Sequence, residues 1–290
     1  KDAKQLGILV KIITGDSKEV AGAVAYEARL IDSPDKVITG DELLQLPFEK
    51  QNAAVLEYSV FARATPLQKY HIIELLQKKF LVGFLGEGFN DAPALKLAHV
   101  GLAVNGASDI AREASDIVLL NKSLHVIVEG IREGRKISAN TIKYIKATLT
   151  SNFGNFYALA FASLIIDYPP MLPVQILLLN LLTDFPMVSI AGDSVDEREV
   201  SRPRGYHLRE VVLIAIVLGL VSTSFDFAFF GFFVRKGESV LQTMWFIGSV
   251  LTELALFFSI RTSFVFFKTR RPSMLVLGLT SLCAAVAIAL

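Results

Sequence analysis

The chain has 290 residues, a formal net charge of +1, 52% hydrophobic residues and a mean hydropathy of +0.49. That apolarity is too high for an ordinary soluble protein and points to membrane spans. The single cysteine, Cys283, excludes an intrachain disulfide framework or a cysteine-based metal site, and neither charge nor motif points to nucleic acid. The opening Lys-Asp-Ala-Lys is not a signal peptide and reads as an entry into the middle of a domain.

Residues 1–121 read as soluble α/β. An apolar run at 9–13 is a strand, followed by Thr14-Gly15-Asp16 and a helix over about 17–28. Residues 31–56 are less regular and read as a helical or loop insertion. A short strand at 60–62 precedes Thr65-Pro66, where Thr65 is the N-cap and Pro66 the first residue of a helix through Lys78. Further apolar strands are expected at 81–85, 100–104 and 117–120. Strands alternating with helical patterns predict a parallel sheet.

Residues 122–147 form a basic amphipathic helix with Arg132, Arg135, Lys136, Lys143 and Lys146, which runs without a breaker into the first apolar span. Five spans are expected, at about 148–166, 172–192, 211–234, 241–260 and 274–290, each near the ~20 residues that cross a bilayer. Arg198, Arg202, Arg204, Arg209, Arg261, Lys268, Arg270 and Arg271 fall in alternate connections. By the positive-inside rule that side is cytoplasmic, together with the soluble unit.

The most telling string is Gly86-Glu87-Gly88-Phe89-Asn90-Asp91-Ala92-Pro93-Ala94-Leu95, on the loop after a strand, where open α/β sheets place ligands. Glu87 and Asp91 offer the hard oxygens that Mg²⁺ prefers. Phosphoryl transfer needs cations and donors on the phosphoryl oxygens and carboxylates for Mg²⁺. Lys69, Asn90, Asp91 and the Thr14-Gly15-Asp16 turn supply such groups.

The string resembles the hinge motif GDGxNDxPAL of P-type ATPases, ion pumps that pass through an aspartyl-phosphate, with Glu87 in place of the first Asp. The resemblance implies the C-terminal half of a haloacid-dehalogenase-like (Rossmann-like) phosphorylation domain followed by a helical transmembrane bundle. It implies that Lys69 contacts the phosphoryl group and that Thr14, Gly15 and Asp16 line the same pocket. Glu87 would stand at the Mg²⁺ position, with Asn90 and Asp91 ordering the site. The family's phosphorylated DKTGT segment, its TGES-type segment and a nucleotide-binding domain do not occur in the 290 residues. ATP would be bound mainly by upstream domains, and this fragment alone is expected to be inactive.

In the spans, Asn152 and Asn155 are three apart, a spacing that shares a helix face, and Asn180, Thr183 and Asp184 repeat the pattern. A carboxylate at mid-bilayer depth costs ~2.5–3.5 kcal/mol on insertion scales, which makes Asp184 a functional candidate. Pro186 lacks an amide hydrogen and leaves the carbonyl of Leu182 free for an ion. Glu253 is a further candidate ion ligand, and Asp226 is a candidate structural hydrogen-bonding group. His71, His99, His125 and His207 are scattered and read as surface or packing residues. The phenylalanine-rich run at 225–233 reads as a lipid-facing surface.

The string at 174–184 also resembles the sixth transmembrane helix of cation-pumping P-type ATPases, which implies Asn180, Thr183 and Asp184 as ion ligands. Asn155 stands where calcium pumps carry a glutamate. The segments at 119–124, 129–135 and 151–155 look like the bacterial magnesium-transporting branch. The resemblance therefore implies an ATP-driven Mg²⁺ pump of the cell membrane, with the transported cation, the bilayer and upstream domains of the same pump as partners. A calcium or other cation pump and a degenerate regulatory fragment are the alternatives.

Overall fold

A computed structural model describes the chain except for residues 1, 122, 204, 206 and 263–268. Lys122, Arg204 and Lys268, which enter the expectations for the basic helix and connections, lie outside the described residues. The chain divides into two units, Lys1–Gly130 and Ile131–Leu290.

In the first unit a short helix α1 (Asp2–Gln5) precedes β1 (Ile12–Ile13). The strand is shorter than the apolar run at 9–13, because only Ile12 and Ile13 find rungs on a neighbour, while Leu9 and Val10 remain exposed. α2 (Lys18–Glu27) starts at the Ser17 cap, whose hydroxyl accepts from the Val20 amide. The stretch expected to be irregular holds a two-residue strand, β2 (Ile38–Thr39), then α3 (Gly40–Gln45) and α4 (Phe48–Glu57). A reciprocal Thr39–Glu42 capping box starts α3. β3 (Val60–Ala62) is wholly buried and leads to α5 (Pro66–Gln77). There the Thr65 amide donates to Gln68 Oε1 at 2.9 Å and the Gln68 amide to Thr65 Oγ1 at 3.3 Å. This box and Pro66 fix where α5 begins, and so where Lys69 stands.

β4 (Gly83–Gly86), α6 (Ala92–Leu97), β5 (Val100–Val104), α7 (Asp109–Ala114) and β6 (Ile117–Leu119) complete the unit. The strands are parallel, as expected, but form two three-stranded sheets, β1–β3–β2 and β4–β5–β6. Ile13 of β1 and Phe84 of β4 both pack on the cluster of Ile73, Ala94 and Ala98.

The second unit is helical. α8 (Leu124–Ala162) is one helix of 39 residues, and the division between the units falls within it. α9 (Pro173–Ser189) contains Pro186 and ends in a 3₁₀ turn, Ile190–Gly192. α10 (Glu197–Val200), α11 (Leu208–Phe233), α12 (Glu238–Ile260) and α13 (Met274–Ala289) follow. Among the described residues, three helical stretches are long and apolar enough to cross a membrane: Pro173–Gly192, Leu208–Lys236 and Glu238–Ile260. α13 is apolar but has only 16 residues. The end of α8 is diluted by Thr148, Thr150, Ser151, Asn152 and Asn155, and the helix stops at Ala162, short of the expected 166. Of the phenylalanine-rich run, Phe225, Phe227 and Phe232 are exposed while Phe230 is buried against Trp245.

The bundle core is apolar, with Ala158, Leu179, Leu182, Phe230, Leu241, Trp245, Val250, Leu254, Cys283 and Ala287. Two buried ion pairs, one from the middle of α8 and one from the end of α12, reach the segment after α9. Lys143 Nζ lies 3.2 Å from Glu199, and the Arg261 guanidinium is bonded to Asp193.

Candidate functional site

In the first unit the loop after β4 folds around Asp91. Its Oδ1 accepts from Lys69 Nζ at 2.7 Å, and its Oδ2 accepts from the amides of Glu87 and Gly88, each at 3.2 Å. The Lys69 and Asp91 side chains are 15% and 13% exposed. Burial works to raise the Asp91 carboxyl pKa, but the Lys69 ammonium and the Gly88 and Glu87 amides outweigh it and hold the group below the usual carboxylate range. Gly86 is required by close approach, since a Cβ there would meet the Asp91 Cβ at 2.7 Å.

The side chains of the other expected residues of this site form no hydrogen bond or ion pair with the side chains of that pair among the described residues. Glu87 and Asn90 are exposed. Thr14 and Asp16 bond to one another: the Thr14 hydroxyl donates to Asp16 Oδ2 at 2.8 Å, and the Asp16 amide donates back to Thr14 Oγ1 at 3.1 Å. Their backbone ties Gly15 and its neighbours to the segment after β3, through Arg63 N to Asp16 O at 2.8 Å and Ala64 N to Thr14 O at 2.9 Å. Among the described residues, no hydrogen bond or ion pair links Thr14 or Asp16 to Lys69, Glu87, Asn90 or Asp91. Three of the four acceptor positions on Asp91 are used, so it organises the loop. Glu87 keeps a carboxylate with no partner among the described residues, and it suits a hard cation better than Asp91 does.

In the second unit the expected ion ligands separate into two groups. Glu253 of α12 is 3% exposed. Its Oε2 accepts from the Ser151 hydroxyl of α8 at 2.6 Å, while its Oε1 is buried without a hydrogen-bond partner. Asn155 and Thr183 flank the same carboxylate. Thr183 is buried, with its hydroxyl donating back to the carbonyls of Leu179 at 3.0 Å and Asn180 at 3.4 Å. Asn152, Asn180 and Asp184 instead lie on exposed helix surface. The inward face of α8 is thus set by Ser151 and Asn155, four apart, and the 152/155 pairing expected from spacing is rotated away from it. Ser151 is not among the residues expected from sequence, because a lone serine in an apolar helix gives no signal of its own. Its signal was the 151/155 spacing that puts it beside Asn155. Among the described residues, no three His, Cys, Asp or Glu side chains gather as a metal site. Any cation here would be held by hydroxyls, amides and single carboxylates.

A parallel α/β unit carrying this loop, followed in the chain by apolar helices that bury the Glu253 carboxylate, is the arrangement against which the comparisons with known proteins are set. A family profile described as "Cation transporting ATPase, C-terminus" matches residues 168–290. Over its whole length the chain is 38% identical to proteins named magnesium-transporting ATPase, P-type 1, from Salmonella typhimurium and Escherichia coli, and covers 33% of each. It is 34% identical to a calcium-transporting ATPase of Bacillus subtilis, over 90% of this chain and 31% of that protein. The chain belongs to the cation-transporting P-type ATPases and corresponds to their C-terminal part. It spans about a third of the length of these curated relatives.

Proposed function

We propose that this chain is the C-terminal part of an ATP-driven Mg²⁺ pump of the cell membrane. In this reading residues 1–121 are the C-terminal half of a haloacid-dehalogenase-like phosphorylation domain on the cytoplasmic side. Residues 122–147 are the stalk, and 148–290 carry five spans. The first unit contains two separate parallel sheets whose strands β1 and β4 pack on one shared cluster, and in this reading an upstream strand joins them in the full pump. That strand would bring the aspartate that accepts phosphate from ATP. Lys69 would meet the phosphoryl oxygens, with Asp91 keeping the ammonium in place and Thr14, Gly15 and Asp16 on the neighbouring turn. Glu87 would hold the catalytic Mg²⁺, which supplies charge neutralisation when bound, and Asn90 would help order the same loop.

The observation that carries the transport reading is the buried Glu253 carboxylate with its unpartnered Oε1, lined by Ser151, Asn155 and Thr183. A buried ionisable group in a membrane bundle marks an ion pathway by default. Asn180, Asp184 and Asn152 would join from helix surfaces that upstream spans cover in the whole pump. Mg²⁺ uptake by vesicles containing the full-length pump tests this: Glu253→Gln and Asp184→Asn should each lower uptake at limiting Mg²⁺ by about tenfold or more. Uptake equal to wild type in both variants would sink the reading. Calcium is the second reading, favoured by the 34% identity to the Bacillus subtilis calcium-transporting ATPase. The amide of Asn155, in place of a carboxylate, argues for the first. Parallel ⁴⁵Ca²⁺ uptake separates the two.

A further inference from the structure

Asp226 of α11 is 4% exposed and lies outside the candidate ligands. A carboxylate buried among apolar helices is costly unless it finds hydrogen-bond donors. Both come from α12: Oδ1 accepts from Trp245 Nε1 at 2.8 Å and from the Ser249 hydroxyl at 3.3 Å. Trp245 and Ser249 are four residues apart and stack on one helix face, and Glu253 is the next residue at that spacing. Three residues along α11 from Asp226, the Phe229 ring lies against Gly248, where an added Cβ would meet Phe229 Cζ at 2.4 Å. One grip is polar and the other steric, and they act on adjacent positions of α12. Turning α12 by one residue, about 100°, would take Trp245 and Ser249 off Asp226 and Glu253 off Ser151 together.

We propose that Asp226 is a positioning residue for cation binding. It sets the rotation and register of α12 that aim the Glu253 carboxylate at Ser151, Asn155 and Thr183. The proposal rests on the reading of Glu253 as a ligand of the transported cation. In this role Asp226 acts through α12, since both of its described bonds come from that helix.

The test is the cation dependence of turnover and uptake in the full-length pump, with KM and kcat measured separately. Asp226→Asn keeps an acceptor oxygen and should leave KM within about twofold, whereas Asp226→Leu should raise KM about tenfold with a smaller change in kcat. In a Glu253→Gln background, Asp226→Leu should add less than about threefold, because the two act in series. An Asn variant as impaired as the Leu variant would make Asp226 a ligand and overturn the proposal. An unchanged KM with less folded protein, or full additivity with Glu253→Gln, would also overturn it. If Asp226→Leu does not accumulate, Ser249→Ala combined with Trp245→Phe removes the same two bonds from the other helix, and an unchanged KM there overturns the proposal. A Glu253→Gln variant with unchanged KM fails the ion-site reading itself, a result separate from the Asp226 pattern.

Discussion

Asp91 is a carboxylate held by three donors, one of them charged. Its pKa in the folded protein lies below the ordinary value, so the unfolded chain binds the proton more readily. The stabilisation is therefore complete above the ordinary carboxylate range and is lost as pH falls through the lowered folded value. Replacing Asp91 by Asn should cost about 1–2 kcal/mol at neutral pH, after allowance for solvent screening of a partly exposed pair. Urea unfolding of wild type and Asp91→Asn across pH 2–7 checks this. The gap between the two should be constant at the upper end and close at the lower end; a gap that widens in acid reverses the sign and refutes the account. The loop that carries Asp91 was legible because its ten-residue string is specific. The role of Asp91 was less so: as a Mg²⁺ candidate it looked equivalent to Glu87, and only the hydrogen bonds separate an organiser from an open carboxylate.

Among the elements, those with local start signals were legible. Thr65-Pro66 marks α5 because a cap, a proline and Gln68 three residues after the cap act within one turn. β3 and β5 begin and end where their apolar runs do. β2 was not legible, since Ile38–Thr39 is a strand only through its rungs to Phe61 and Ala62, which lie far away in sequence. The same non-local pairing trims β1 to two residues and divides the strands between two sheets. In the bundle, the polar residues that mark α8 as functional also lower its hydropathy, so length and apolarity alone do not mark it as a span. The uninterrupted α8 leads to a prediction about coupling. A helix transmits displacement along its axis only while its hydrogen-bond ladder is intact, and two glycines cost about 2 kcal/mol relative to alanine while loosening it. Inserting Gly-Gly beside Ile145 in the full pump should leave ATP hydrolysis running while uptake falls, measured as ions moved per ATP. An unchanged ratio would mean that α8 does not carry the coupling.

Across the whole molecule, the two units are held together internally by different physics. The first relies on apolar clusters between strands and helices, such as Phe61, Ile72 and Leu75 with Leu43 and Val55. The second adds buried ion pairs, one of them where three of its helices end. Asp193 is the busiest of their members: it holds Arg261 from the end of α12, and its Oδ1 accepts from the amide of Ser273, the cap of α13, at 2.9 Å. Arg261 also donates to Ser194 Oγ at 2.8 Å, and the Ser194 hydroxyl donates to the Arg271 carbonyl at 2.6 Å. The ends of α9, α12 and α13 thus meet on one carboxylate. Removing one member leaves a buried charge without its partner, which costs about 3–5 kcal/mol, whereas replacing both with apolar groups of similar volume is often near neutral. Asp193→Ala should therefore destabilise the protein strongly in detergent, with Arg261 left 3% exposed and uncompensated. The double variant Asp193→Leu with Arg261→Met should recover most of that loss, except for the share carried by the Ser273 amide, about 1 kcal/mol. Equilibrium unfolding of the single and double variants measures both terms. A double variant no more stable than Asp193→Ala would show that Asp193 acts through its backbone contacts, and that the buried pair is not what joins the three helix ends.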